Sequence, residues 1–232
     1  MTSRIAIIPA RGGSKRIPRK NIRLFLGRPI IAYSIEAALT AGCFDEVMVS
    51  TDDEEIAEVA LAQGARVPFL RAAATADDFA GTAEVLSEVL TEYTRRNRHF
   101  SAVCCLYATA PFVTAELLLR TLEVLEASMA PAVIPVAQHA PPTWRALQIA
   151  DGSLSWVHPE FEKTRSQDLP PTYFDVGQFY WIDVGTFLRE RRLICPDALP
   201  FILPRAQVQD IDTLEDWSEA EAKYRRQHPQ QS

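Results

Sequence analysis

Short apolar runs alternate with longer amphipathic segments through the first 136 residues, and this alternation constrains the fold more than any other feature. Residues 5–9, IAIIP, form an apolar run that ends in a loop, as a buried parallel strand does. An amphipathic helix follows, with Pro29 at its start and Gly42 as its C-cap. The rhythm repeats, with strands expected at 46–50, 67–70, 102–107 and 132–136 and helices at 53–63, 82–96 and 114–127. This βαβα order predicts an α/β fold, a parallel or mixed sheet with helices on both faces.

The rhythm breaks after about residue 138. Two proline-rich stretches, HAPPTW and DLPPTY, bracket a hairpin candidate with Asp151-Gly152 as its turn. A strand is expected to return at 178–182, followed by a short helix to about 191 and a last helix from near Thr213. No linker divides the chain, so we expect one domain over 1–232 with an excursion at about 138–176 that serves dimerisation.

Composition excludes several classes of protein. The 232 residues are 47% hydrophobic and 23% charged, which is ordinary for a soluble globular protein. A net charge of -6 argues against general nucleic-acid binding, and no apolar run is long enough to predict a membrane span. The N-terminal residues do not resemble a signal peptide, and the four cysteines lack metal spacing. These features favour a cytoplasmic protein without nucleic-acid or membrane partners.

Residues 9–21, PARGGSKRIPRKN, concentrate positive charge in this acidic chain. Gly12 and Gly13 allow a sharp turn that brings backbone N–H groups close to a ligand. Basic side chains would surround that ligand, namely Arg11, Lys15, Arg16, Arg19 and Lys20. The segment matches neither a Walker A loop nor GxGxxG. It follows the first strand, where open α/β sheets bind ligands, which favours a triphosphate cradle over the alternative of a solvated basic loop.

Clustered phosphates usually need Mg²⁺, and Mg²⁺ needs carboxylates. Asp210 and Asp212, in VQDIDTLEDW, would face the same point if this segment is extended. The alternative is that Asp212 or Thr213 caps the helix that starts there. The Asp52-Asp53 pair is a weaker metal candidate, better explained as a loop and helix cap.

Polar and aromatic residues are dense at 164–168, TRSQD, and at 173–181, YFDVGQFYW. Arg165 could bind a carboxylate, while Gln167 and Gln178 could bind hydroxyls of a polar ligand. A packed aromatic strand with a polar loop is the alternative explanation.

Several motifs together resemble the CMP-sialic acid synthetase family of cytidylyltransferases. They are, in chain order, IIPARGGSKRIPRKN, GRPIIAYSIEAAL, VMVSTDDEEIAEVALAQGA, RSQDLP and DIDTLEDW. Within the family the chain is most similar to the pseudaminic acid branch, with AVCCLYATAPF and DVGQFYW. Where the sialic acid branch has QPTSP, this chain has YATAP, so Tyr107 replaces a glutamine that would face the sugar.

The resemblance implies a role for each matching residue. CTP would be bound by Ala10, Arg11, Gly12, Gly13, Ser14, Lys15, Lys20, Asn21, Arg71, Asp78 and Thr82. The sugar would be bound by Tyr107, Arg165, Gln167, Asp168, Tyr173, Gln178 and Phe179. Asp210 and Asp212 would hold Mg²⁺, and Lys20, Arg11 and Asp212 would be catalytic. The family's RPxELAxD form is altered here to RAAATADD, at residues 71–78.

The resemblance also implies a fold, a reaction and partners. The fold is nucleotide-diphospho-sugar-transferase-like (Rossmann-like), with a mixed, mainly parallel sheet, in a bacterial homodimer. The reaction converts CTP and pseudaminic acid, an acidic nine-carbon sugar, to CMP-pseudaminic acid and pyrophosphate, for flagellin or surface polysaccharide glycosylation. N-acetylneuraminic acid, legionaminic acid and KDO remain alternative substrates. A non-catalytic CTP-binding module is a more remote alternative, disfavoured by the presence of both Asp210 and Asp212.

Overall fold

The computed structural model describes residues 3–76 and 81–229. The strands are β1 (Arg4–Pro9), β2 (Leu24–Phe25), β3 (Arg28–Pro29), β4 (Glu46–Ser50), β5 (Ala102–Leu106), β6 (Ala132–Gln138), β7 (Leu147–Ala150), β8 (Ser153–Trp156), β9 (Tyr173–Asp175), β10 (Phe179–Asp183) and β11 (Leu199–Ile202). The α-helices are α1 (Ile30–Ala41), α2 (Glu54–Ala62), α3 (Ala73–Ala76), α4 (Thr82–Arg95), α5 (Ala115–Ser128), α6 (Val184–Glu190) and α7 (Leu214–Gln227).

The main sheet has seven strands in the order β11-β6-β10-β5-β1-β4, with β9 also pairing with β6. Strand β1 lies next to the edge strand β4 and is parallel to both of its neighbours, β4 and β5. Strand β10 enters antiparallel between β5 and β6, while β11 pairs with β6 in parallel. The prediction of a mixed, mainly parallel sheet is therefore confirmed.

Helices cover both faces of this sheet, as predicted. Residues 6 and 8 of β1 point into one apolar cluster, where helices α1, α2 and α5 contribute residues such as Ile35, Ile56 and Leu118. Residues 5 and 7 point into the opposite cluster, where α4 and α6 contribute Leu86 and Phe187. Because β1 is buried on both faces, residues 5–9 are apolar without interruption instead of alternating with polar residues.

A third, smaller cluster attaches the C-terminal helix α7 beside the main core. Phe25 of the β2–β3 hairpin packs edge-to-face against Tyr33, Trp217 and Tyr224, with ring centroids 5.4 to 5.7 Å apart. Ile17 and Ile211 are buried in the same cluster. Burial of these two residues brings the basic loop and the DID segment of residues 210–212 together, although nearly 200 positions separate them in the chain.

Two sequence predictions had different outcomes. The β7–β8 hairpin turns at Asp151 and Gly152, whose φ angles of 50° and 77° suit the predicted two-residue turn. The prediction of a strand at 67–70 is wrong, because β4 pairs instead with the residue before this segment, through an isolated bridge between Met48 and Arg66. No helix among the described residues is long and apolar enough to cross a membrane.

Candidate active site

The basic loop leaves β1 at the carboxyl edge of the sheet and is fixed to neighbouring elements by its backbone. The Ala10 N–H donates to the Ser50 carbonyl at 2.9 Å, and the Gly12 N–H donates to Asp52 Oδ1 at 3.0 Å. Within the loop, Asn21 Nδ2 donates to the Arg11 carbonyl at 2.9 Å. These three hydrogen bonds fix the conformation of the loop.

Asp52 and Asp53 position this loop, as the loop-and-cap interpretation predicted. Asp53 caps α2 by accepting from the Ile56 N–H, and it also pairs with Arg19 at 2.5 Å. That ion pair holds the pKa of Asp53 down, to about 2. Arg19 also contacts Glu55. It does not line the cavity over the ends of β1 and β5, so the structure does not place Arg19 among the basic residues that were expected to surround the ligand.

A cavity of about 240 Å³ opens over the carboxyl ends of β1 and β5. The basic loop forms one wall, and the rest of the lining comes from Arg71, the start of α4 and the segment that follows β5. Of the predicted residues it collects Arg11, Ser14, Lys15, Lys20, Asn21, Arg71, Thr82 and Tyr107, together with Arg16. Ala10, Gly12 and Gly13 lie in the same loop but do not line the cavity.

Arg71 forms a rigid part of the wall. Its guanidinium is buried and donates to the Ser50 carbonyl at 2.5 Å and to the Ser50 hydroxyl at 3.1 Å. Burial lowers its pKa. Glu88 of α4 accepts from the Ala72 N–H at 2.7 Å and so fixes the segment that follows. Asp78, predicted to contact the nucleotide, lies outside the described residues.

Tyr107 borders the cavity next to Thr82, whose hydroxyl lies 3.0 Å from the Tyr107 hydroxyl. Burial raises the pKa of Tyr107 to about 12, so the hydroxyl is protonated at neutral pH. Behind it lie Tyr180 and Asp175, which sequence reasoning missed. The alternation of side chains along a strand could have predicted which face of β10 carries Tyr180. It could not have predicted that Tyr180 contacts Tyr107, which follows a different strand.

The two carboxylates of the DID segment meet the basic loop. Asp212 pairs with Arg16 at 2.8 Å and with Lys20 at 3.4 Å, and Lys20 Nζ donates to the Ile211 carbonyl at 2.6 Å. Burial and, secondarily, the charge of Asp212 raise the pKa of Asp210. Helix α7 is instead capped by Thr213, in a capping box with Asp216. The N-cap of α7 is therefore Thr213, and neither Asp210 nor Asp212.

This donor set fits a hard divalent cation. Asp210 and Asp212 lie on either side of the buried Ile211, beside the basic loop, and carboxylate oxygens suit Mg²⁺. Within 3–76 and 81–229, no group of three or more His, Cys, Asp or Glu side chains could hold a metal ion. Two protein carboxylates nevertheless match Mg²⁺, which usually retains waters and binds substrate phosphates.

The other predicted sugar residues do not line the cavity. Arg165 is exposed and pairs with Asp168 at 2.7 Å, within the segment that also carries Gln167. Tyr173 is half exposed on β9, and Phe179 is fully buried in the core. Gln178 is buried, and its Nε2 donates to the Gln207 carbonyl at 2.8 Å, while its Oε1 has no hydrogen-bond partner among the described residues. In this single chain these side chains do not converge on the cavity.

A basic, glycine-containing loop and a carboxylate pair at the carboxyl edge of a mostly parallel sheet are suited to binding a nucleoside triphosphate. The fold and site thus define a nucleotidyltransferase. The family model described as "Cytidylyltransferase" matches residues 5–155. This chain belongs to the cytidylyltransferase family.

Individual relatives agree with this assignment. The chain is 42% identical to the pseudaminic acid cytidylyltransferase of Campylobacter jejuni subsp. jejuni serotype O:2, over 97% of both chains. It is 33% identical to the CMP-N,N'-diacetyllegionaminic acid synthase of Legionella pneumophila subsp. pneumophila, over 92% of this chain and 93% of that relative. The solved structure of CMP:2-keto-3-deoxy-manno-octonic acid synthetase complexed with CTP has the same fold, with 16% identity and a TM-score of 0.70 over 97% of this chain and 100% of that one.

Proposed function

We propose that this enzyme transfers the cytidylyl group of CTP to pseudaminic acid, giving CMP-pseudaminic acid and pyrophosphate. The observation that carries the proposal is the cavity itself, which joins the basic loop to Tyr107 over the ends of β1 and β5. The 42% identity to a pseudaminic acid cytidylyltransferase over nearly the whole chain supports the same substrate.

The basic loop would bind the triphosphate. Arg11 and Lys15, together with the loop N–H groups, would hold the β- and γ-phosphates, as cations and backbone dipoles do in preorganised sites. Lys20 would lie near the α-phosphate, since it already contacts the segment that carries Asp212. The anomeric hydroxyl of the sugar would attack the α-phosphate in line, and pyrophosphate would leave.

Asp210 and Asp212 would hold a Mg²⁺ ion. When bound, the ion supplies polarisation of the α-phosphate and a lower pKa for the attacking hydroxyl. Arg16 and Lys20 pair with Asp212 and so hold its carboxylate beside the basic loop, where the phosphates would bind.

Arg71 and Thr82 would border the cytosine and ribose, and Tyr107 the sugar. The excursion at 138–176 would contribute Arg165 and Gln167 to the site of a second copy in a homodimer. The β7–β8 hairpin supports this arrangement, because Leu147, Ile149 and Leu154 are 52%, 77% and 68% exposed.

Pyrophosphate release from CTP and Mg²⁺ tests the proposal, measured with pseudaminic, legionaminic and N-acetylneuraminic acids and KDO. Release with pseudaminic acid in clear preference to the others is the expected result. Preferred release with another sugar would keep the reaction and overturn the substrate. CTP binding without release from any sugar would identify a non-catalytic CTP-binding module instead.

A further inference from the structure

Lys223 of α7 binds the backbone of the segment that leads into the same helix. This segment, residues 205–212, runs from a short 3-10 turn through the DID carboxylates to the N-cap of α7. Lys223 Nζ donates to the Arg205 carbonyl at 3.0 Å and to the Val208 carbonyl at 2.5 Å. An ammonium group has three donors, so one side chain can hold both carbonyls. The start of the segment is thereby attached to the helix that follows its end.

Two glutamines hold the carbonyls between these two. Gln227 Nε2, one turn further along α7, donates to the Ala206 carbonyl at 2.7 Å, and Gln178 Nε2 donates to the Gln207 carbonyl at 2.8 Å. Gln178 is 1% exposed, and its own carbonyl accepts from the Tyr107 N–H at 2.9 Å. The 205–212 segment is therefore connected to the cavity wall as well as to α7.

The far end of the segment is fixed at the basic loop. The Ile211 side chain is buried in the third cluster, and the Ile211 carbonyl accepts from Lys20 Nζ at 2.6 Å. The second carbonyl that Lys223 binds lies only two residues before Asp210. Lys223 therefore limits the movement of the backbone that carries both DID carboxylates.

We propose that Lys223 is a positioning residue that sets the place of the Asp210 and Asp212 carboxylates, so that both can bind the Mg²⁺ ion of the CTP complex. This inference rests on the proposed function for the metal. Mg²⁺ requires near-ideal octahedral geometry, so a shift of the backbone that carries its ligands weakens binding. Loss of a group that orients metal ligands typically costs roughly 10- to 100-fold in metal affinity or activity.

Lys223→Met tests the inference, because it removes the donors and keeps an unbranched side chain beside Phe112, whose ring centroid is 5.5 Å from Lys223 Nζ. The Mg²⁺ concentration that gives half the maximal rate of pyrophosphate release should rise roughly tenfold, while the KM for the sugar stays within about twofold. Arg225→Met is the matched control, since Arg225 is an exposed cation of the same helix and pairs with Glu221. It should leave both quantities unchanged.

Calorimetry of CTP binding without sugar gives a second readout that needs no turnover. Mg²⁺ should tighten CTP binding to the wild type, and most of this gain should be lost in Lys223→Met and in Asp212→Asn but retained in Arg225→Met. Gln227→Leu removes one carbonyl contact and should lose a smaller part of the gain. This variant keeps the inference testable if Lys223→Met does not fold.

A full Mg²⁺ gain in folded Lys223→Met would overturn the inference, and so would a full gain in Gln227→Leu if Lys223→Met does not fold. A lower midpoint of thermal unfolding with an unchanged Mg²⁺ requirement would show that Lys223 only stabilises the helix. An equal loss in Arg225→Met, or no gain from Mg²⁺ in the wild type, would also refute the positioning role. If the expected pattern of Mg²⁺ gains is found but no sugar gives pyrophosphate release, the proposed reaction fails and the inference stands.

Discussion

Replacing Gly12 by alanine tests whether close packing against α2 sets the position of the basic loop. A Cβ at residue 12 would lie 2.6 Å from Asp53 Oδ2 and 3.0 Å from Asp53 Cβ. Ordinary contact begins at 3.4 Å, so the loop or Asp53 must move by about 0.8 Å. Asp53 resists this movement because it is held by Arg19 and by the Ile56 N–H.

The loop is therefore the part that yields, and its N–H groups and basic side chains move with it. A misplacement of about 1 Å can cost roughly 100-fold in rate, so we expect Gly12→Ala to lower kcat/KM for CTP by about that factor. The midpoint of thermal unfolding should fall little, since the loop lies at the surface. Pyrophosphate release at varied CTP concentration measures the first quantity, and a thermal melt the second.

Gly13→Ala provides the matched control. A Cβ at residue 13 has no neighbour within 4 Å, and Gly13 does not have a positive φ angle. This variant should retain nearly wild-type kcat/KM. Near-normal activity in Gly12→Ala, or equal impairment of both variants, would refute the reasoning.

Two further predictions concern carboxylates of the site. Asp212→Asn should lower kcat by roughly 100-fold or more. The midpoint of thermal unfolding should be nearly unchanged, because the ion pairs of Asp212 are partly exposed. Glu215→Gln is the control, and a comparable loss of stability and rate in Asp212→Asn would argue against a catalytic role. Asp53 has a folded-state pKa of about 2 against 3.8 ordinarily, so the stability from its charge is present above about pH 4 and lost as the pH falls toward 2. Urea unfolding should show the difference in unfolding free energy between the wild type and Asp53→Asn shrinking over that range, and a constant difference would contradict the ion pair.

Local patterns predicted most elements of the sheet and its helices. The apolar run at 5–9 is the buried strand β1, and Thr114 caps α5 as its position suggested. The same approach was wrong at 67–70, although this stretch is also apolar. Pro68 interrupts it, and a proline cannot donate to a strand ladder.

Charge pattern alone could not assign every basic residue of the loop. Arg19 and Lys20 are adjacent, yet Arg19 pairs with Asp53 and Lys20 with the segment around Asp212. Those partners lie 34 and 192 positions away in the chain. Which carboxylate meets which cation depends on how the loop lies across the sheet, and no local pattern encodes this.

The sequence by itself determined the βαβα rhythm, the basic glycine loop and the carboxylate pair, because each depends on residues close together in the chain. Only the tertiary structure decided that Tyr180 and Asp175 stand behind Tyr107. Their meeting requires β10 to enter antiparallel beside β5, so that Phe179 pairs with Leu106. Strand order is fixed by the burial of both sheet faces together, and side chains from separate strands converge only once that order exists.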